Sequence, residues 1–323
     1  MSEKKIPLLI TGGMPEYLME KIRTDGYDMQ HIENPTDAQL AAAEVIVGFP
    51  PVPRLSSATN LKWLQIPWSG ADGYADHPDF PSHVTLTNAT GAFGRPIAEY
   101  AFGAVFALMR RFHQYRDCQK EAKWQRQGDE MSPTGKNVLI LGAGDIGTNA
   151  ARLFKMMDCR ITGVRRVVRE VPREFDAMIT LEQVDDLLPE ADIVICCMPH
   201  TPLTQGFFTK ARFEKMKSTA IFVNVGRGTL VDHEALAEVL NAGKIYGAAL
   251  DVTFPEPLPE DHPLWKCRNV LITPHVSGQT FAGLKDKEDF FFRMCKENLE
   301  AYRDGKPLQN LVDLKTGYRV TTN

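Results

Sequence analysis

The feature that most constrains the fold is a glycine-rich turn between two apolar runs, within residues 137–166. A fully apolar run, 138–141, precedes the turn, and a helix-like segment and a second apolar run follow it. Gly142, Gly144 and Gly147 have the GxGxxG spacing of a strand that turns sharply into a helix. Because strand, turn, helix and strand occur in this order, the stretch predicts a parallel βαβ unit that binds a dinucleotide.

The three glycines have different roles in such a unit. The first permits the tight turn, the second allows the backbone to approach a pyrophosphate, and the third lets the helix pack on the strand. The N–H groups at the start of the helix offer hydrogen bonds and a partial positive charge to the phosphates. The candidate phosphate-binding residues are therefore Gly142, Gly144, Asp145, Ile146 and Gly147.

Length and composition indicate a two-domain globular protein. A chain of 323 residues exceeds one ordinary hydrophobic core. Hydrophobic residues make up 43% of the chain and the formal net charge is −4, which disfavours both disorder and a nucleic-acid partner. The first residues contain only a short apolar run, so we expect no signal peptide, no membrane span and a cytoplasmic location. The six cysteines lack metal-binding spacing, and we expect reduced structural thiols and no metal site.

Short apolar runs at intervals that leave room for helices indicate an α/β arrangement in the N-terminal part. Strands are predicted at residues 6–10, 44–47, 61–66 and 84–87. A helix is predicted from Pro15 to Arg23. Residues 68–73, rich in small side chains, form either a simple turn or a turn whose consecutive N–H groups bind an anion.

An apolar segment runs from Ile97 to Met109, and Pro96 suits the first turn of a helix. A helix that is apolar on most sides needs burial on more than one side. We expect it to cross between the domains and to continue into the contact of a homodimer; an intramolecular core helix is the alternative. The polar, turn-rich residues that follow, up to Gly135, predict an extended arm.

Four further buried strands are predicted at residues 192–199, 219–225, 246–252 and 270–273. Ligands of open α/β sheets bind outside the carboxyl ends of the strands, where Arg227, Asp251, Glu256 and His275 are found. A guanidinium can hold a carboxylate and an imidazole can donate a proton to a ketone oxygen, so these residues fit reduction of a 2-oxo acid. The structural alternatives are a turn cap for Arg227, a solvated charge for Glu256 and a core histidine for His275.

The chain resembles the D-isomer-specific 2-hydroxyacid dehydrogenases over residues 224–278, which read NVGRGTLVDHEALAEVLNAGKIYGAALDVTFPEPLPEDHPLWKCRNVLITPHVSG. The resemblance extends from the SGAD segment at Ser69 to the C-terminal region. It implies an α/β fold with two doubly wound parallel-sheet domains, Rossmann-like or flavodoxin-like, separated by a cleft. The discontinuous substrate domain would comprise residues 1–100 and 286–323, and the dinucleotide-binding Rossmann domain residues 101–285. A helix from about residue 280, ended by Gly305 and Pro307, would return the chain to the first domain.

The same resemblance implies roles for individual residues. Arg227 binds the substrate carboxylate, His275 is the acid/base, and Glu256 pairs with His275. Ser69, Gly70 and Ala71 hold the carboxylate through their N–H groups. The cofactor contacts implied beyond the glycine turn are Met198, Pro199, Thr204, Val225, Gly226, Arg227, Asp251, His275 and Gly278, with Asp251 facing the nicotinamide carboxamide.

The residue at the end of the second strand of the βαβ unit predicts which cofactor is bound. Many members of the family carry an acidic residue there, which accepts the ribose hydroxyls. This chain has Arg165, with Arg166 beside it. Because arginine binds a 2′-phosphate, NADP(H) is the predicted cofactor, with NAD(H) as the second choice.

The sequence thus predicts an oxidoreductase that transfers hydride between NADP(H) and a small 2-oxo acid or D-2-hydroxy acid, as in glyoxylate/hydroxypyruvate reductases. One alternative is a non-catalytic cofactor-sensing regulator on the same fold. Another is formate oxidation, although relatives of that type carry glutamine in place of Glu256. The substrate side chain stays open, since Phe49, Trp68, Phe93 and Trp124 suit a pocket for anything from glyoxylate to an aromatic 2-oxo acid.

Overall fold

The computed structural model describes residues 5–13, 16–75, 77–278, 285–317 and 320. The chain forms two compact units, one of Met1–Phe93 with Thr280–Asn323 and the other of Gly94–Gln279. Each unit is built around one parallel β-sheet. Within the described residues, no helix combines the length and the apolar character needed to cross a membrane.

The first unit begins with five strands and two helices. They are β1 (Ile6–Ile10), α1 (Glu16–Ile22), β2 (Tyr27–His31), α2 (Asp37–Ala42), β3 (Val45–Val47), β4 (Trp63–Gln65) and β5 (Thr85–Thr87). The sheet order is β2-β1-β3-β4-β5, and all pairs are parallel. The four strands predicted here are confirmed. The sequence analysis missed β2, because this edge strand is mostly polar and largely exposed.

The second unit contains seven strands and six helices among the described residues. They are α3 (Gly94–Met109), α4 (Phe112–Lys120), β6 (Asn137–Leu141), α5 (Asp145–Lys155), β7 (Arg160–Val164), β8 (Ala177–Ile179), α6 (Val184–Leu187), β9 (Ile193–Cys196), α7 (Lys210–Lys215), β10 (Ile221–Asn224), α8 (His233–Asn241), β11 (Gly247–Leu250) and β12 (Val270–Ile272). The sheet order is β12-β11-β10-β9-β6-β7-β8, with parallel pairs throughout. This is a doubly wound order, as the family resemblance implied, and it contains the βαβ unit predicted from the glycine turn.

Both faces of this sheet are covered, which is why its strands are almost wholly apolar. On one face, Phe102 of α3 packs against Phe154 of α5, with ring centroids 5.0 Å apart. On the other face, Phe222 of β10 lies within a cluster with Phe208 and Phe213, at centroid distances of 4.6 and 5.2 Å. The edge strand β8, which is only partly buried, was not predicted.

The long apolar helix is confirmed as α3, which packs on α5 and on strands β10, β11 and β12 within the second unit. The prediction of an extended arm was wrong for residues 116–120, because α4 continues to Lys120. The residues of α4 are mostly polar. Its buried Gln114 donates a hydrogen bond to Asn269, next to β12. Residues 121–134 form neither helix nor strand, which agrees with the predicted arm for this part of the segment.

The C-terminal helix α9 (Lys285–Arg303) belongs to the first unit. Its Asn298 donates a hydrogen bond to Gln65 of β4 at 3.2 Å, within a fully buried polar cluster that also includes Thr87. As predicted, the helix ends at Gly305, which has a φ of 66°; the N–H of Lys306 closes the cap on the carbonyl of Ala301. The predicted helix start, residues 280–284, lies outside the described residues.

Candidate active site

The glycine turn lies where the strand order of the second sheet reverses, between β6 and β9. Gly142 has a φ of 97°, and a Cβ there would lie 2.8 Å from the carbonyl oxygen of Cys197. A Cβ on Gly147 would overlap the carbonyl oxygen of Gly142. Both positions therefore require glycine. Because α5 starts at Asp145, directly after the turn, its first N–H groups lie at the carboxyl edge of the sheet, including that of Ile146. Gly144 is the N-cap residue.

The loops after β9 and β10 form the other side of this switch point. A Cβ on Gly226 would overlap the carbonyl oxygen of Met198, so the two loops are in backbone contact. The loop after β9 is closed by Thr204, whose Oγ1 donates to the carbonyl oxygen of Pro199 at 2.7 Å. Val225 continues β10 through a hydrogen bond from its N–H to Cys196. The predicted phosphate and ribose contacts thus occupy adjacent loops at one sheet edge.

The two arginines after β7 differ in their surroundings. The guanidinium of Arg165 donates two hydrogen bonds, of 2.8 and 2.6 Å, to the carbonyl oxygen of Ala143 in the glycine turn. The side chain of Arg165 is partly buried, whereas Arg166 is exposed. Arg165 therefore supports the turn itself, and Arg166 presents its charge at the surface beside it.

His275 and Glu256 lie together after β12 and β11. Nδ1 of His275 is 3.0 Å from Oε2 of Glu256. Because a carboxylate can only accept, Nδ1 carries the hydrogen and donates it. The other oxygen of Glu256 accepts from the N–H of Thr253 at 3.0 Å, which fixes the carboxylate on its own loop. Both side chains keep about half of their surface exposed, at 53% and 41%.

Asp251 fixes the backbone of the loop that carries His275. It is 1% exposed, and its Oδ1 accepts from the N–H of Val276 at 2.8 Å while Oδ2 accepts from the N–H of Ser277 at 2.9 Å. Its carbonyl oxygen accepts from the N–H of His275 at 2.8 Å. His275 itself has a φ of 54°, a left-handed conformation that a non-glycine residue adopts only when its surroundings hold it there. Gly278 is the next residue in the sequence after Ser277.

Two residues that the sequence analysis missed extend this arrangement. Oγ1 of Thr273 donates to Oδ1 of Asp251 at 2.7 Å, and Tyr100 of α3 lies 2.6 Å from the same Oγ1. Since the hydroxyl hydrogen of Thr273 is used on Asp251, the phenol of Tyr100 is the donor. Burial raises the pKa of Tyr100 to about 12, so the phenol keeps its hydrogen at neutral pH. In the sequence, Thr273 could have been recognised only as a polar residue at the end of an apolar strand.

Arg227 is positioned by a third missed residue, Asn224. This fully buried amide donates to the carbonyl oxygen of Arg227 at 3.0 Å and accepts from the N–H of Gly226 at 3.1 Å. Nη1 of Arg227 donates to the carbonyl of Gly226 at 2.8 Å. On the other side, a Cβ on Gly228 would overlap the carbonyl group of Thr253. The Gly-Arg-Gly segment is therefore fixed from both sides.

In the first unit, residues 69–71 follow β4. Nδ2 of Asn88 donates to the carbonyl oxygen of Ser69 at 2.7 Å, and the N–H of Tyr74 donates to the carbonyl of Ala71 at 3.0 Å. These contacts orient the loop through its carbonyls. No residue that the structure describes accepts a hydrogen bond from the N–H groups of Ser69, Gly70 or Ala71. The geometry suits the anion-binding turn predicted as one of two alternatives.

The second unit thus combines a dinucleotide-type turn, a carboxylate–imidazole pair and a fixed arginine segment at the carboxyl edge of one sheet. Such a set can bind an anionic cofactor and exchange a proton with a ligand. In the part of the chain that the structure describes, no group of three His, Cys, Asp or Glu side chains is arranged to bind a metal ion.

Comparisons with known proteins agree with this arrangement. Residues 102–277 match the family model described as D-isomer specific 2-hydroxyacid dehydrogenase, NAD binding domain. A glyoxylate reductase from Aeropyrum pernix is 34% identical over 239 residues, which cover 71% of this chain and 70% of that protein. The mitochondrial formate dehydrogenase 2 of Oryza sativa subsp. japonica is 32% identical over 256 residues, 74% of this chain and 66% of that protein.

A solved structure extends the similarity to nearly the whole chain. It is a D-isomer specific 2-hydroxyacid dehydrogenase family protein from Aeromonas salmonicida subsp. salmonicida, with a TM-score of 0.86 and 33% identity. The alignment covers 96% of this chain and 99% of that one. Together with the matched family model and the two-sheet fold, this similarity shows that the chain belongs to the D-isomer-specific 2-hydroxyacid dehydrogenases, oxidoreductases that use a nicotinamide cofactor.

Proposed function

We propose that the protein is a reductase that converts a 2-oxo acid into the D-2-hydroxy acid, with NADPH as the preferred cofactor. The observation that carries this proposal is the 3.0 Å contact between His275 and Glu256, on a loop that Asp251 holds in place. A bound nicotinamide supplies or accepts the hydride. The substrate unit would be Met1–Phe93 with Thr280–Asn323, and the cofactor unit Gly94–Gln279.

His275 is the proton donor in this mechanism. Because Nδ1 donates to Glu256, Nε2 is the nitrogen that gives its proton to the carbonyl oxygen of the substrate. Glu256 orients the ring and stabilises the imidazolium before transfer. In the reverse direction neutral His275 accepts the proton from the hydroxy acid.

Two sets of donors suit a substrate carboxylate: Arg227 in the second unit, and the N–H groups of Ser69, Gly70 and Ala71 in the first unit. The guanidinium of Arg227 provides paired, charged donors that match the two oxygens of a carboxylate. Its backbone is fixed through Asn224, so little conformational entropy is lost when the anion binds. The carbonyl of Ser69 is held by Asn88, which orients the turn of the first unit.

The cofactor phosphates are bound by the glycine turn and by the start of α5, with the adjoining loops at Met198 to Thr204 and at Gly226. The close backbone contacts at Gly142 and Gly226 fit this role, because a side chain at either position would fill the space between the loops. Arg166 favours the 2′-phosphate of NADP(H), and NAD(H) is a weaker alternative. Contact of Asp251 with the nicotinamide carboxamide stays a prediction.

The assembly and location are also proposals. A homodimer is supported by the arm between α4 and β6, where Trp124 exposes its whole side chain. A contact of this side chain with a second copy of the chain would remove its apolar area from water. A cytoplasmic location is supported by the six cysteines, which are all free thiols as in proteins of reducing compartments.

Steady-state kinetics of the purified protein test the proposed function. NADPH oxidation is followed with glyoxylate, hydroxypyruvate, pyruvate and phenylpyruvate, and the product is resolved by chiral chromatography. We expect a D-2-hydroxy acid, and a loss of turnover of about 10²- to 10⁴-fold in His275→Ala. The matched control is His83→Ala, an exposed histidine in the first unit.

Three results would contradict the proposal. Unchanged turnover in His275→Ala would remove the assigned proton donor. Oxidation of formate to carbon dioxide, without reduction of any 2-oxo acid, would favour the formate dehydrogenase alternative. Tight cofactor binding without turnover of any acid would favour a cofactor-sensing regulator.

A further inference from the structure

Two aromatic side chains meet at the carboxyl edge of the sheet in the first unit. Phe49 follows β3 and Trp68 follows β4, and their ring centroids are 4.9 Å apart at an interplanar angle of 42°. These two strands are neighbours in the sheet. Because ligands of open α/β sheets bind outside the carboxyl ends of the strands, the pair lies where a ligand of this unit would bind.

The backbone around Phe49 holds its ring in place. Its N–H donates to Oγ1 of Thr11 at 3.2 Å, just after β1. A Cβ on Gly12, which has a φ of 87°, would lie 2.5 Å from the ring of Phe49, so the ring packs directly on the glycine backbone. The N–H of Gly12 in turn donates to the carbonyl of Glu33 at 3.2 Å. The aromatic ring therefore rests on a hydrogen-bonded backbone support.

The backbone of Trp68 is fixed as well, because its carbonyl oxygen accepts from the N–H of Ala89 at 2.8 Å. Trp68 directly precedes Ser69, the first residue of the turn whose N–H groups are assigned to the substrate carboxylate. Trp68 and the N–H groups assigned to the carboxylate are thus on one loop, and Phe49, on the loop after β3, contacts Trp68 in the same unit.

Both rings keep a large exposed surface, 44% of Phe49 and 38% of Trp68. Exposed, adjoining aromatic rings on a rigid support indicate a binding surface, since an apolar ligand removes this area from water. The other two aromatic candidates have different surroundings. Phe93 is buried at 8% exposure, and Trp124 lies in the arm of the second unit.

We infer that Phe49 and Trp68 bind the side chain of the substrate, and that the substrate class is 2-oxo acids with an aromatic or large apolar side chain. The inference rests on the proposed function, which supplies the 2-oxo acid group and its carboxylate. Two rings inclined at 42° present a bent apolar surface, which suits a third ring in an edge-to-face arrangement. Glyoxylate, which has no side chain, leaves both rings in contact with water.

The test compares phenylpyruvate with glyoxylate in wild type and in two variants, Phe49→Ala and Trp68→Ala. We expect kcat/KM for phenylpyruvate to exceed that for glyoxylate by about 10-fold or more in wild type, as expected for burial of a phenyl group. Each variant should lose about 10-fold for phenylpyruvate, mainly through KM, and less than about 3-fold for glyoxylate. The control is Phe112→Ala, a more exposed aromatic residue of the second unit, which should keep the wild-type ratio.

A binding measurement separates this inference from catalysis. N-Benzyloxamate and oxamate carry the same acid group with and without a phenyl ring, and both are measured as inhibitors competitive with the 2-oxo acid. Tighter inhibition by the benzyl compound in wild type, lost in Trp68→Ala, supports the inference. A wild-type preference for glyoxylate, or variants that affect both substrates equally, would overturn it while leaving the proposed function in place. If no 2-oxo acid is reduced, the proposed function itself fails.

Discussion

The side chains assigned to chemistry are positioned by neighbours that do not react. His275 is held by Glu256 through its ring and by Asp251 through its backbone. Arg227 is held by the buried amide of Asn224. Such support matters because a catalytic group misplaced by about 1 Å loses about two orders of magnitude in rate. At the scale of single residues, the site therefore depends as much on the buried Asn224 and Asp251 as on the exposed His275 and the partly buried Arg227.

At the residue scale, we propose that Arg166 decides the choice of cofactor. One charged hydrogen bond to the 2′-phosphate contributes roughly 1.5–3 kcal/mol, so we expect kcat/KM for NADPH to exceed that for NADH by about 10-fold or more. Arg166→Ala should abolish most of this preference by weakening NADPH alone. Arg165→Ala should weaken both cofactors, because its guanidinium supports the glycine turn through Ala143.

Steady-state kinetics with both cofactors check this prediction, and the ratio of the two kcat/KM values is the readout. Equal efficiency with NADH and NADPH in wild type would show that the arginines do not bind the phosphate. A loss confined to NADPH in Arg165→Ala, with no effect of Arg166→Ala, would reverse the two assignments.

At the scale of elements, a series of hydrogen bonds joins α3 to the ends of β12 and β11, next to His275. It runs from Tyr100 to Thr273 and on to Asp251, which holds the loop of His275. The first two residues are separated by 173 positions in the sequence. Helix packing in the second unit therefore contributes to the position of the imidazole, although α3 supplies no reacting group.

These hydrogen bonds predict that substitutions at Tyr100 and Thr273 lower turnover by different amounts. Tyr100→Phe removes one hydrogen bond and should lower kcat by about 3- to 10-fold, with little change in KM for the cofactor. Thr273→Val leaves Oδ1 of Asp251 without one of its donors and should cost more, whereas Thr273→Ser should restore most of the activity.

The matched control is Tyr74→Phe in the first unit. Burial also raises the pKa of Tyr74 to about 12, and its phenol donates to the carbonyl of Pro50 at 2.9 Å. Loss of this bond should reduce the midpoint of thermal unfolding without a specific loss of kcat. If Tyr100→Phe lowers stability as much as Tyr74→Phe and leaves kcat unchanged, its role is only structural.

At the scale of the whole molecule, one buried imidazole makes stability depend on pH. His233 begins α8 and is 5% exposed. Burial lowers the pKa of His233 to about 4; the nearby His262 adds to the shift, and Asp232 opposes it. An imidazole in the unfolded chain has a pKa of about 6.5. Between these values the unfolded chain binds a proton that the folded chain does not, so stability is lost as the pH falls below about 6.5.

Between about pH 7 and about pH 5 this loss amounts to about 2 kcal/mol, and carboxylates stay largely ionised over that range. Thermal unfolding of wild type should therefore show a lower midpoint at the acid end. His233→Gln should show a smaller decrease over the same range, whatever its stability at neutral pH. His83→Gln, a change at an exposed histidine, should keep the wild-type decrease. A His233→Gln variant with the wild-type pH dependence would contradict the assignment.

The sequence by itself determined the interior elements and the main turn. Strands such as β6, β9 and β10 are buried on both faces, so each reads as a continuous apolar run. The turn at Gly142 is recognisable because only glycine tolerates its conformation and its contact with Cys197. The edge strands β2 and β8 lack such a pattern, since they are exposed or only half-buried, and they were missed.

Only the tertiary structure decided how the ends of those elements interact. The contacts of Asp251 with Thr273 and Ser277, and of Arg165 with Ala143, join residues more than twenty positions apart. Periodicity reports which side of one element is apolar, and carries no information on which strand ends become neighbours. Sheet order fixes those neighbours. For the same reason the sequence offered four aromatic candidates for the substrate pocket, and the pairing of β3 with β4 brought Phe49 and Trp68 together.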